Sequence, residues 1–88
     1  MSVAEIVEEK LQAAFSPTQL SLIDESASHA GHAGARPGGE THFQLEITSA
    51  KFGGLNRVQR QRLIYKALEE ELAGPIHALS IQARAPGD

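Results

Sequence analysis

Three of the four histidines, His29, His32 and His42, crowd into or beside one Gly/Ala-rich insert, and the fourth, His77, opens an expected strand near the end of the chain. Imidazole is therefore the clearest chemistry the chain offers, as a ligand for zinc, iron or another transition metal. There is no cysteine, so a soft metal or iron–sulfur site must take nitrogen from this protein and sulfur from elsewhere. That arithmetic points to a site completed by a partner. Against it stand plainer roles. A histidine at a strand entrance can be satisfied by a backbone carbonyl, and loop histidines can simply be solvated. His42 shares a strand face with Gln44 and Glu46, so its expected role is structural and it is left out of the ligand set.

The elements that must position these rings follow from periodicity. Val3, Ile6, Val7, Leu11, Ala14 and Phe15 recur at three-and-four spacing, which predicts an amphipathic helix ended by Ser16-Pro17-Thr18. Gln19 to Glu25, with Leu20, Leu22 and Ile23, reads as a short first strand. Ser26 to Thr41 is almost all Ala, Gly, Ser, His and Pro, a long insert of flexible, irregular backbone; loops of this length in small domains are usually functional or disordered. His42 to Thr48 alternates, with Phe43, Leu45 and Ile47 on one face. After a turn at Gly53-Gly54, Asn56 can cap a second helix with Gln59 as its box partner. That helix is expected to run to about Ala73 on a stripe of Val58, Leu63, Ile64, Ala67, Leu68 and Leu72, and to stop at Gly74-Pro75. Ile76 to Ala83 reads as a third strand, with His77 on the parity of Leu79 and Ile81. Residues 84–88 form a tail too short for another helix. The order αββαβ predicts a single α/β (α+β) domain over residues 1–88, with helices packed on a three-stranded mixed sheet.

Composition narrows the class. The 88 residues, 41% hydrophobic and 22% charged, suit one small folded domain rather than a disordered chain. The amino terminus lacks the basic patch and apolar run of a secretory signal, and Glu5, Glu8 and Glu9 oppose a transit peptide, so the expected address is cytoplasmic, with no membrane span. A net charge of −3 weighs against non-specific attraction to phosphate. Arg57, Arg60, Arg62 and Lys66 on the second helix are nevertheless candidates for a local nucleic-acid contact. Arg60, Arg62 and Tyr65 could also face a phosphate or the carboxylates of glutathione. No nucleophile–base pairing, Walker loop or metalloprotease helix is present, so the sequence reads as a non-enzyme.

Taken in order, Asp24-Glu25-Ser26 before a His-bearing loop, Gly39-Glu40-Thr41-His42-Phe43, Phe52 with Gly54-Leu55, Arg60-Gln61-Arg62-Leu63-Ile64-Tyr65 and Gly74-Pro75-Ile76-His77-Ala78-Leu79-Ser80 make the chain resemble the BolA family over nearly its whole length. The resemblance implies a fold akin to the second class of KH domain. It also implies a partnership with monothiol glutaredoxins, in which a [2Fe-2S] cluster is shared for trafficking, assembly or iron sensing. The glutaredoxin cysteine and glutathione would supply sulfur, His77 would match the family's carboxy-terminal ligand, and a loop histidine would be the second. His29 stands in the Glu25-Ser26-x-x-His position of the family's loop ligand, and His32, in the longer insert, is the alternative. The family's usual last helix is missing or reduced here. Neutral imidazoles in place of thiolates would raise the cluster's potential, and protonation would loosen it below about pH 6. The alternative function is a KH-like DNA-binding regulator of stress or morphology genes. A third possibility is a histidine loop that binds zinc alone. The free protein is expected to be a monomer or weak homodimer.

Overall fold

A computed structural model describes residues 2–25 and 41–88. Helix α1 spans Val3–Phe15, strand β1 Gln19–Asp24 and strand β2 His42–Thr48. Helix α2 spans Arg57–Ala67, the short helix α3 Glu69–Ala73, and strand β3 Ala78–Arg84. β2 is the central strand, antiparallel to β1 and parallel to β3, so the sheet is mixed, as expected. The insert 26–40, with His29 and His32, lies outside the described residues.

The two longer helices begin where a side chain satisfies an orphan amide. The Ser2 hydroxyl accepts from the Glu5 amide to start α1, and Ser16 ends it in the left-handed region at φ 44°. Asn56 and Gln59 form the reciprocal capping box at the start of α2, which the sequence announced. The preceding turn needs a positive φ at Gly54, 76°, a conformation glycine adopts without a Cβ penalty.

Val7, Leu11 and Phe15 of α1, Ile64 of α2 and Leu68 just past its end close over one sheet face, built from Phe43, Leu45, Ile47 and Ile81. The alternation of β2 is as read: Phe43, Leu45 and Ile47 are buried, while His42, Gln44 and Thr48 are half-buried and Glu46 is exposed on the other face.

Three expectations are corrected. The second helix is not continuous to Ala73: Leu68 leaves helical geometry at φ −110°, ψ 19°, and α3 starts afresh at Glu69. The break buries Leu68 and brings Glu71, 9% exposed, against Lys10 of α1 at 2.8 Å. Lys10 is pushed above its ordinary range chiefly by that hydrogen bond. Secondly, Val58 and Leu63 are exposed, at 53% and 39%, because α2 lays only a narrow stripe on the sheet. Thirdly, β3 starts at Ala78 and not Ile76, which leaves His77 outside the strand. The amide of Ile76 is used by the Glu71 carbonyl, and those of His77 and Ala78 both reach the Thr41 carbonyl. Strand parity therefore does not govern His77, and it is exposed instead of facing inward with Leu79 and Ile81. The turn between β2 and α2 also holds an element the periodicity did not signal, a single 3-10 turn at Ala50–Phe52 that drives Phe52 into the core. Its ring packs 5.0 Å from that of Phe15.

Candidate metal centre

The parallel pairing of β2 with β3 sets His42 opposite Ala78. His77 directly precedes Ala78, so two histidines far apart in sequence meet at one end of the sheet. Their ring centroids are 6.2 Å apart, with the planes inclined at 59°. Thr41 organises both. It is buried at 2% exposure, its hydroxyl lies 2.8 Å from Nδ1 of His42, and its carbonyl accepts from the backbone amides of His77 at 2.8 Å and Ala78 at 3.2 Å. Nearby, the Glu25 amide donates to the His42 carbonyl at 2.7 Å. Glu25 and Thr41 therefore flank the segment that carries His29 and His32 at the same end of the sheet.

Two imidazoles and no thiolate make half a metal site. A closed mononuclear zinc or iron centre needs about four protein ligands, and among the described residues no three His, Cys, Asp or Glu side chains stand together. The remaining donors would have to come from segment 26–40 or from another molecule. Two neighbouring imidazoles, one exposed and one half-buried, in a chain without cysteine, are of the donor type that could serve as the nitrogen half of an iron–sulfur coordination sphere whose sulfur is supplied from outside. His77, singled out from sequence, is at this end. His42, set aside as structural, is beside it. The missing signal was register, since nothing local to either histidine announces the other.

The cationic candidates divide. Arg57 and Arg60 border a cleft of about 290 Å³ between α2 and the far end of β3, together with Gln61, Gln82 and Arg84. Arg60 is committed inside the fold: its Nε donates to the Leu55 carbonyl and Nη1 to the Ala83 carbonyl, each at 3.0 Å, and the same Nη1 pairs with Asp88. Arg62 and Lys66, one helical turn apart, are exposed on a different side, and Tyr65 is 44% exposed. The four do not line one continuous groove. Among the described residues no helix is long and apolar enough to cross a membrane.

The chain is similar to known proteins over nearly its whole length. The family model described as BolA-like protein matches residues 11–88. BolA-like protein 1 of Pongo abelii is 54% identical over 77 residues, which cover 88% of this chain and 53% of that protein. The DNA-binding transcriptional regulator BolA of Escherichia coli is 42% identical over 81 residues, covering 92% of this chain and 73% of that one. The chain thus spans about half the length of the mammalian relative. The solved structure of BolA1 from Arabidopsis thaliana superposes with a TM-score of 0.86 at 40% identity, covering all of this chain and 96% of that one.

Proposed function

Because the chain belongs to the BolA-like family, we propose that it is a non-enzymatic cytoplasmic adaptor that pairs with a monothiol glutaredoxin and shares a [2Fe-2S] cluster for trafficking, assembly or iron sensing. The observation that carries the reading is His77, exposed at the end of the sheet beside a second imidazole, in a protein that has no thiol of its own. The cluster is cargo. Glutaredoxin and glutathione supply its thiolate ligands, and this chain supplies nitrogen through His77 and a second imidazole, for which His29 and His32 are the loop candidates. Neutral nitrogen lowers the cluster's negative charge and raises its potential, and nitrogen ligands are weaker anchors than thiolates. Both properties suit hand-over better than storage.

The test is co-purification with a monothiol glutaredoxin and glutathione, followed by visible absorption and circular dichroism. His77→Ala is expected to alter the dichroism of the mixed complex and speed cluster loss; an unchanged spectrum rules the reading out.

A second reading, a DNA-binding regulator of stress or morphology genes, has the support of the Escherichia coli relative, itself a DNA-binding transcriptional regulator. In this chain it would rest on Arg57, Arg62 and Lys66 more than on Arg60, whose guanidinium is already used within the fold. Phosphate contacts release counterions, so DNA binding must weaken steeply as salt is added, whereas coordination to a glutaredoxin-held cluster must not. A salt titration of both complexes separates the two.

A further inference from the structure

Resting on the shared-cluster reading, we infer that the second nitrogen ligand beside His77 is His42, on the central strand, and that Thr41 is the positioning residue that orients its ring. Two imidazoles bound to one metal ion through metal–nitrogen bonds of about 2.0–2.1 Å hold their centroids roughly 5 Å apart. The His42 and His77 rings stand at 6.2 Å. Small side-chain rotations close that gap, chiefly at His77, which is exposed and outside the strand ladder. The mutual tilt of 59° suits ligands spread around one metal and excludes face-to-face stacking of the rings.

The hydrogen bond to His42 is the second argument. Metal-bound histidines nearly always bond their other ring nitrogen to a fixed group, which orients the ring and selects the tautomer. Here the buried Thr41 hydroxyl occupies Nδ1 at 2.8 Å. In the ligating tautomer Nδ1–H donates to Thr41 Oγ1, and the lone pair for the metal is on Nε2. The same Thr41 fixes the other half of the pair, because its carbonyl accepts from the amides of His77 and Ala78. One buried residue therefore sets both the direction of one ring and the backbone that carries the other. A ring on a strand with its orientation already held by a hydrogen bond loses little freedom on binding.

The experiment reads nitrogen directly. The full chain is combined with a monothiol glutaredoxin and glutathione and loaded with cluster. Pulsed EPR of the reduced cluster then counts the strongly coupled imidazole nitrogens. Two are expected for the wild type and for the double variant His29→Ala/His32→Ala, and one for His42→Ala and for His42→Gln; the second variant guards against a packing defect at the strand. Far-UV circular dichroism of each apo variant confirms the fold. Thr41→Val should keep both nitrogens, but ¹⁵N NMR of the apo protein should show the His42 Nδ1 resonance shifted by loss of its hydrogen bond. Two nitrogens in both His42 variants and one in the loop double variant overturn the inference and leave the adaptor reading standing. Two nitrogens in His77→Ala overturn both.

Discussion

Ser49 is fully buried although a hydroxyl in a core is costly unless it is satisfied. Its Oγ donates to the Phe15 carbonyl at 2.6 Å and accepts from the Lys51 amide at 3.2 Å, while its own amide reaches the Arg84 carbonyl. One small side chain thus joins the end of α1, the 3-10 turn and the end of β3. Ser49→Ala deletes the donor and leaves the Phe15 carbonyl without that partner, so urea unfolding is expected to show a loss of about 1–3 kcal/mol with an unchanged m-value. A change within about 0.5 kcal/mol would mean that water replaces the hydroxyl. Thr41 is the parallel case at the candidate site. Residue identity alone pointed to the proposed chemistry there: four imidazoles and no thiol restrict the donors this chain could offer a metal before any fold is known. Identity could not say which rings meet. His42 and His77 become neighbours only through the β2–β3 register and the late start of β3, and Arg60 reads as a solvated charge until the carbonyls of Leu55 and Ala83 are placed around it.

At the level of elements, hydrophobic period and caps were legible where one face packs along its whole length. Helix α1 and strand β2 are bounded as their patterns predict, and the Asn56–Gln59 box starts α2 where expected. The failures lie where packing overrides period. From Arg57 to Ala73 the apolar spacing fits one long helix, but the fully buried Leu68 leaves helical geometry just before Glu71 reaches Lys10. Val58 and Leu63 are then stranded in solvent on opposite flanks of the stripe. Phe52 fails for the opposite reason, since a lone aromatic in a Gly-rich turn has no period to reveal it. Stability should follow the observed stripe. Leu68→Ala empties a fully buried position and should cost about 2–5 kcal/mol, whereas Val58→Gln and Leu63→Gln, tested by the same denaturation, should each stay within about 0.5 kcal/mol. A large loss at Leu63 would show that the unbroken helix is the true one in solution.

For the molecule as a whole, the two ends of the sheet are held in different ways, and this separates stability from the candidate site. At one end, Thr41 holds the backbone amides of His77 and Ala78 through its carbonyl and the His42 ring through its hydroxyl. At the other, Arg60 ties the loop before α2 to the end of β3 and to Asp88, whose carboxylate also accepts the Ala85 amide at 2.9 Å. That amide bond first, and the Arg60 guanidinium second, hold the Asp88 carboxyl below its ordinary value of 3.8. A carboxyl whose pKa is depressed in the folded state contributes stability above its unfolded value and loses it as pH falls through the folded one. The Asp88 contribution should thus be complete at neutral pH and disappear only in acid below about pH 3.8. In thermal unfolding followed from pH 7 to pH 2, Asp88→Asn should lower the midpoint at pH 7 and flatten the acid limb, so that the curves of wild type and variant converge at the lowest pH. The His42–His77 end, remote from this pair along β3, should keep the proposed nitrogen ligation to a glutaredoxin-held cluster in the same variant at pH 7. Loss of cluster nitrogen in Asp88→Asn would mean that the ends are coupled through β3 and that the site is not set locally by Thr41.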